Sequence, residues 1–324
     1  MRCTSKLLCI VSAVCLFFTG CGFDKNSIEK PYDAYSYHDS FANQEELNGV
    51  DFYAKDLCVT NSINFGLEGT YAEVAQGGGV FNISTNKVLY SQNLFKKLYP
   101  ASTTKILTAY IIIRDCDLSS VAIVSKQAAD QAEDSSTCGL RAGDNIKVED
   151  LLYGLMLHSG NDAAETLAEY HSGSVEAFAE VMTKTAHELG ATNSNFKNPS
   201  GLPDKEHYTT VYDMYLLFNE AIKQDKFVDI ISARTKNAVY TNVNGRKVEK
   251  TFYNSNRYKT KAVETPEGFQ IIGGKTGTTY DAGYCLVLYS KNPSGQDIIS
   301  IVFKADGAHN LYLLMNQILN KYAK

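Results

Sequence analysis

From Ser102 the sequence turns helical, and Ile106, Leu107, Ala109, Tyr110, Ile111, Ile112 and Ile113 leave that helix almost no polar face. A helix that is apolar all round must be enclosed by other elements. The chain therefore folds around this segment. Its 324 residues suffice for one large domain, or a main domain with a subdomain. With 44% hydrophobic and 21% charged residues it has the composition of a globular protein. The net charge is −5 with no basic block, so the clustered Lys/Arg surface needed to bind nucleic acid is missing. The six histidines form no H-E-x-x-H, and no cysteine spacing resembles a zinc site, so neither metal nor cofactor is expected.

The N-terminus differs from the rest. Arg2 and Lys6 precede an apolar run, Leu7 to Phe18, which is too short to span a bilayer comfortably and reads as the h-region of a signal peptide. Thr19-Gly20-Cys21 closes it like a bacterial lipobox, with Phe18 where an aliphatic residue is usual. The expected layout is a signal peptide over 1–20, lipidation at Cys21, a polar tether over 21–54, and a folded domain over 55–324. This places the protein outside the cytoplasm, held on the outer face of the membrane by its N-terminal lipid. Cys58, Cys116, Cys138 and Cys285 then lie in an oxidising compartment, where disulfides are permitted. Cys116 with Cys138 is the candidate pair.

Beyond the tether, Val74 to Phe81 and Val88 to Tyr90 read as strands around a turn at Thr85-Asn86-Lys87. Helices are expected over 148–158, 162–171 and 174–189, the last stopped by Gly190. Thr210 and Asp213 form a capping box for a helix reaching about Lys223. Strands over 269–275, 283–290 and 297–304 follow, then an amphipathic helix over 310–322. Strands first, helices in the middle and an antiparallel sheet at the end make an α+β arrangement rather than an alternating parallel fold.

Three short motifs carry chemistry. Ser102-Thr-Thr-Lys105 puts a hydroxyl and an amine on one helix face. The same spacing recurs at Ser84/Lys87 and Ser194/Lys197, but only Ser102 opens a buried helix, near unpaired N–H donors. Taken alone, Ser102 is better explained as a helix cap. Ser159-Gly160-Asn161 is likewise explained by a capping box between Ser159 and Asp162. Lys275-Thr276-Gly277-Thr278 occurs once. A glycine inside a strand marks close approach of another backbone, and the neighbouring cation and hydroxyls suit a peptide carboxylate held on a sheet edge.

In this order the three motifs resemble the set of penicillin-binding proteins and class A β-lactamases, whose middle member is S-D-N. Tyr99 to Lys105, Leu157 to Ala164, Asn198 to Leu202 and Tyr212 to Met214 make the sequence similar to the serine-type D-alanyl-D-alanine carboxypeptidases, from about Ala72 onward. That resemblance implies a penicillin-binding, β-lactamase-like transpeptidase fold, an antiparallel sheet packed with helices plus an all-helical subdomain. It implies a hydrolase acting on peptidoglycan stem peptides through an acyl-enzyme on Ser102, and covalent inhibition by β-lactam antibiotics. Lys105 would be the base, with Lys275 the second cation that helps to keep it neutral. Ser159 would pass a proton to the leaving D-alanine, and Asn161 would hold the substrate amide. The Ser102 and Thr278 N–H groups would form the oxyanion hole, and Lys275, Thr276 and Thr278 would grip the terminal carboxylate.

Two departures qualify the likeness. Lys304-Ala-Asp-Gly-Ala-His309 has no arginine where many relatives place one for the carboxylate. The C-terminal β-domain and anchoring tail of many relatives have no counterpart after the last helix, and an N-terminal lipid is the expected substitute. No E-x-x-L-N segment lies between Asn161 and Lys275, which argues against fast β-lactam hydrolysis. An endopeptidase cutting cross-links would use the same residues, and a non-catalytic wall-binding protein would not need them all.

Overall fold

Five antiparallel strands form the central sheet, in the order β2-β1-β9-β8-β7. The computed structural model describes residues 54–324, which make one unit. The expected signal peptide, the lipidated Cys21 and nearly all of the tether lie outside the described residues. The sheet strands are β1 (Gly77–Asn82), β2 (Lys87–Gln92), β7 (Gln270–Thr279), β8 (Gly283–Lys291) and β9 (Asp297–Ala305). Both faces of this sheet are buried, which explains why β9 reads Ile-Ile-Ser-Ile-Val-Phe with no polar alternation. Successive side chains point to opposite faces. Val80, Leu286, Leu288, Ile298 and Val302 meet the C-terminal helix α8 (Ala308–Tyr322) through Leu311, Leu314, Met315, Ile318 and Leu319. Phe81, Val287, Ile299, Ile301 and Phe303 face the larger core on the other side.

That core surrounds α1 (Lys105–Asp115), in which every residue from Lys105 to Ile112 is buried. Helices α2 (Lys126–Ala129), α3 (Val148–Tyr153), α4 (Asn161–Ser172), α5 (Val175–Glu188), α6 (Val211–Ala221) and α7 (Asp225–Ser232) complete the helical part. Thr210 caps this helix as expected, its Oγ1 accepting from the Asp213 N–H at 3.0 Å, while the Asp213 carboxylate turns to Asn193 and Ser194 instead of closing the box. Burying each Ile or Leu of α1 contributes on the order of 1.5–3 kcal/mol. The helix is thus the anchor on which the site is mounted.

The helical part is not purely helical, which corrects the expectation of an all-helical subdomain. It carries a second antiparallel sheet, β3-β4-β5-β6, made of Val121–Ile123, Asn145–Lys147, Thr235–Thr241 and Lys247–Tyr253. One face buries Ala122, Ile146, Ala238, Tyr240 and Phe252 against the core. The other is solvated, so these strands alternate and lack the long apolar run that gives β9 away.

The candidate disulfide is not formed. Cys58, Cys116, Cys138 and Cys285 are all free thiols. Cys138 is buried with its sulfur directed at Gly154 and Gly160, whereas Cys116 caps the end of α1. The Cys138 sulfur therefore acts as packing.

Candidate active site

Ser102 sits in a short 3-10 turn, Ala101–Thr104, that leads into α1 and makes no side-chain capping bond. The cap explanation for this serine therefore fails. Its partner is Lys105, whose Nζ lies 2.9 Å from Ser102 Oγ, 2.8 Å from Asn161 Oδ1 and 2.8 Å from the Ser200 carbonyl. Lys105 is wholly buried. Burial pushes its pKa well below the ordinary lysine value, and the charge on Lys275 pushes it further. A neutral amine has two N–H donors and one lone pair. Asn161 Oδ1 and the Ser200 carbonyl can only accept, so they take the two donors. The lone pair is left for the Ser102 hydroxyl, the geometry of a nucleophile with its base.

Asn161 opens α4, and the turn before it is shaped by strain. A π-helical turn, Gly154–His158, ends in Ser159 with φ 62°, a left-handed conformation unusual for a residue other than glycine. Irregular helix of this kind concentrates at functional sites. The N-cap of α4 is Gly160, so the expected capping box from Ser159 to Asp162 is absent. Asp162 instead accepts from the Cys138 N–H at 2.8 Å and the Leu140 N–H at 3.0 Å, pinning the preceding loop. Ser159 is thereby free to accept from Lys275 Nζ at 3.0 Å. A side chain on Gly160 would begin 2.4 Å from the Cys138 sulfur, which is why glycine fills the middle of this motif.

Lys275 is buried on β7 and also donates to the Thr276 carbonyl at 2.8 Å. Burial pushes its pKa down to about 7. Both amines are desolvated, so the cleft resists holding two protons there at once. Gly277 fulfils the expectation of close approach: a Cβ would sit 2.8 Å from the Ser102 nitrogen and 3.0 Å from that of Thr103. The strand edge is thus laid directly against the nucleophile's turn. As an edge strand, β7 has unpaired backbone groups for a ligand. The Thr278 side chain is exposed, and Thr276 Oγ1 lies 2.9 Å from Ser255 Oγ.

All eight predicted cleft residues, Ser102, Lys105, Ser159, Asn161, Lys275, Thr276, Gly277 and Thr278, are brought together. The decoy serines are structural. Ser84 Oγ accepts from the Asp297 N–H, and Ser194 Oγ donates to Asp213 at 2.6 Å. Residue-by-residue reading missed the Ser200 carbonyl and the Ser255 hydroxyl. Asn198 holds the first in place by accepting from the N–H groups of Ser200, Gly201 and Leu202. A cleft of about 320 Å³ opens here, walled by Ser102, Asn161, Ser200, Leu202, Thr278 and Tyr280. Among the described residues no cluster of three or more His, Cys, Asp or Glu is placed to hold a metal.

Known proteins resemble this chain in sequence and fold. The chain is 33% identical over 239 residues to the D-alanyl-D-alanine carboxypeptidase DacF of Bacillus subtilis, covering 72% of this chain and 58% of that one. It is 32% identical over 235 residues to DacC of Escherichia coli, covering 70% and 55% respectively. The chain thus spans little more than half the length of these relatives. The solved structure of the Streptomyces K15 DD-transpeptidase superposes with a TM-score of 0.70 at 28% identity, covering 76% of this chain and 96% of that one. The antiparallel sheet packed with helices is therefore that of the DD-peptidases. Residues 75–307, which hold every cleft residue named above, match the peptidase S11 family. The chain belongs to the D-alanyl-D-alanine carboxypeptidase family.

Proposed function

We propose that this protein is a serine D-Ala-D-Ala carboxypeptidase that removes the terminal D-alanine of peptidoglycan stem pentapeptides. One observation carries the reading: the lone pair of a buried, desolvated Lys105 is left to Ser102, 2.9 Å away. Lys105 takes the Ser102 proton as Oγ attacks the carbonyl carbon of the penultimate D-alanine. The oxyanion meets the Ser102 and Thr278 N–H groups. The C–N bond then breaks, and the proton taken up by Lys105 passes through Ser159, which Lys275 supports, to the departing amine, leaving Lys105 neutral again. The peptide remains esterified to Ser102. Water, deprotonated by Lys105, hydrolyses the ester and regenerates the serine.

In this reading Asn161 holds the substrate amide, while Lys275, Thr276 and Thr278 hold the terminal carboxylate, with Ser255 orienting Thr276. β-Lactams present the same kind of acyl carbon and acylate Ser102. The N-terminal sequence supports export and lipid attachment at Cys21, placing the enzyme on the outer face of the cytoplasmic membrane. Digestion of a stem pentapeptide, with D-alanine release measured, tests the reaction. Fluorescent penicillin should label the wild type and not Ser102→Ala. Equal labelling of the two would overturn the serine mechanism. Fatty-acid labelling lost in Cys21→Ala tests the anchor.

A further inference from the structure

Tyr280, at the tip of the β7–β8 hairpin, is completely exposed and forms the rim of the catalytic cleft. Behind this rim the cleft adjoins a second hollow that shares Thr278, Thr279 and Tyr280 with it and adds Gln76, Lys304 and Asp306. Gln76 and Lys304 pass in turn into a third hollow, walled by Lys96, Lys97, Lys205 and Tyr208. A groove thus leads away from Ser102 and ends among four lysines, in a protein whose net charge is −5. Among the described residues none of the four makes an ion pair with an acid. Lys96 donates to Gln76 Oε1 at 3.1 Å, and Lys97 stands 4.2 Å above the Tyr208 ring. The carboxylate in the groove wall, Asp306, already accepts from Asn310 at 2.8 Å.

Lys304 is placed there by the backbone. The β8–β9 pairing slips between Tyr284 and Leu286, leaving Phe303 and Lys304 opposite the single residue Cys285. This is a β-bulge, a device that re-aims a side chain at the edge of a site. Lys304 takes φ 55°, in the left-handed region, and is half-buried. Strain of this kind persists where surrounding structure enforces it.

We propose that Lys96, Lys97, Lys205 and Lys304 form a subsite for carboxylate groups on the substrate peptide upstream of the scissile bond. The assignment rests on the proposed reaction, because β7 sets the direction. With the terminal carboxylate held at Lys275 and Thr276 and the scissile carbonyl at the Ser102 and Thr278 N–H groups, a peptide lying along that edge runs toward Thr279 and Tyr280. Its upstream part therefore leaves over the rim into the lysine groove. Lys304 takes the first carboxylate, and the other three, more exposed, add a field that salt can screen.

The test is equilibrium binding, by fluorescence anisotropy, to the Ser102→Ala protein, so that it does not depend on turnover. Two D-Ala-D-Ala-ended peptides are compared, identical except that the upstream carboxylate is free in one and amidated in the other. The free acid should bind about tenfold more tightly at low salt, and the preference should shrink toward one at 0.5 M NaCl. Adding Lys304→Gln, or Lys96→Gln with Lys97→Gln and Lys205→Gln, should cut that ratio at low salt. Equal affinity for the two peptides, or a ratio unmoved by both sets of changes, would overturn the proposal. A ratio lost equally for a phosphate-bearing peptide of the same length would reassign the groove to oxyanions in general and overturn it as a carboxylate subsite. Penicillin labelling of the Ser102 protein reports on the catalytic reading separately.

Discussion

Two lysines stand inside the cleft and four line the groove beyond it, and the same side chain does different chemistry in the two places. Lys105 and Lys275 are buried, with every contact supplied by hydroxyl, amide or carbonyl oxygens rather than by a carboxylate. With no counter-charge in contact, desolvation dominates and both are pushed toward the neutral amine. Lys96, Lys97 and Lys205 are exposed and Lys304 half-exposed, so water supports their charge. Burial without a carboxylate partner lets the amine trade its proton, whereas an exposed lysine offers a partner only its charge. Lysine can play both parts because its pKa moves readily when it is buried, which arginine's does not.

The largest effects should come from breaking the buried pair. Lys105→Met should slow acylation by penicillin about 10²–10⁴-fold, the usual contribution of general-base catalysis. Lys105→Arg should be no better, because a guanidinium cannot give up its proton. A rapid rate for Lys105→Arg would remove the lysine base from the mechanism. Gly277→Ala should come next. The new methyl drives into the Ser102 turn, and a displacement near 1 Å can cost about 10²-fold in rate. Labelling kinetics with a parallel circular dichroism melt would show whether the turn moved or the fold was lost.

A smaller effect tests the coupling of the two lysines through pH. The acylation rate should rise with pH as Lys105 loses its proton, along a limb lying well below 10.5. Lys275→Met removes a cation that disfavours protonated Lys105, so the limb should move to higher pH. A limb that stays in place would mean that the two amines do not communicate. Stability carries the same signature. Lys275 titrates near 7 when folded and near 10.5 when unfolded, so the unfolded chain binds more protons between these values. Stability should therefore rise as pH increases through that window, and denaturant titrations of Lys275→Met should lose this slope. Smallest of all, Lys205→Gln should change unfolding free energy by no more than about 0.5 kcal/mol, as for ordinary surface positions. A greater loss would show that the groove lysines support the fold.

Much of this was legible in the sequence where periodicity and burial agree. The apolar run after Ser102 announces the enclosed helix, and β8 and β9 are legible as strands of an antiparallel sheet. Gly277, a glycine inside a strand, announces a close backbone contact. The second sheet went unread because β3 and β4 are three residues each and β5 alternates with polar residues. Ser159 was ambiguous for a different reason. Its spacing to Asp162 fits a cap, and only the tertiary demand of Asp162 on the loop at Cys138 and Leu140 decides otherwise. The Ser200 carbonyl left no side-chain signal, since a backbone oxygen is available at any residue. Lys304 carries no signal of its own in the sequence, because the bulge that aims it depends on strand register.

The bonds around the reactive amines join distant parts of the chain. Lys105 reaches 95 residues ahead to Ser200, and Lys275 reaches 116 residues back to Ser159. Contacts of such separation form late and slowly, because the entropy of closing the intervening loops must be overcome first. A chain that stops short of β7 contains Ser102 and Lys105 but lacks the strand that seats the nucleophile's turn. The serine should therefore become reactive only when the last sheet strands dock, an order that penicillin capture during refolding would check. Covalent capture of Ser102 would then serve as a clock for the completion of folding, timing the arrival of residues 270–279 rather than the formation of the helix on which the serine sits.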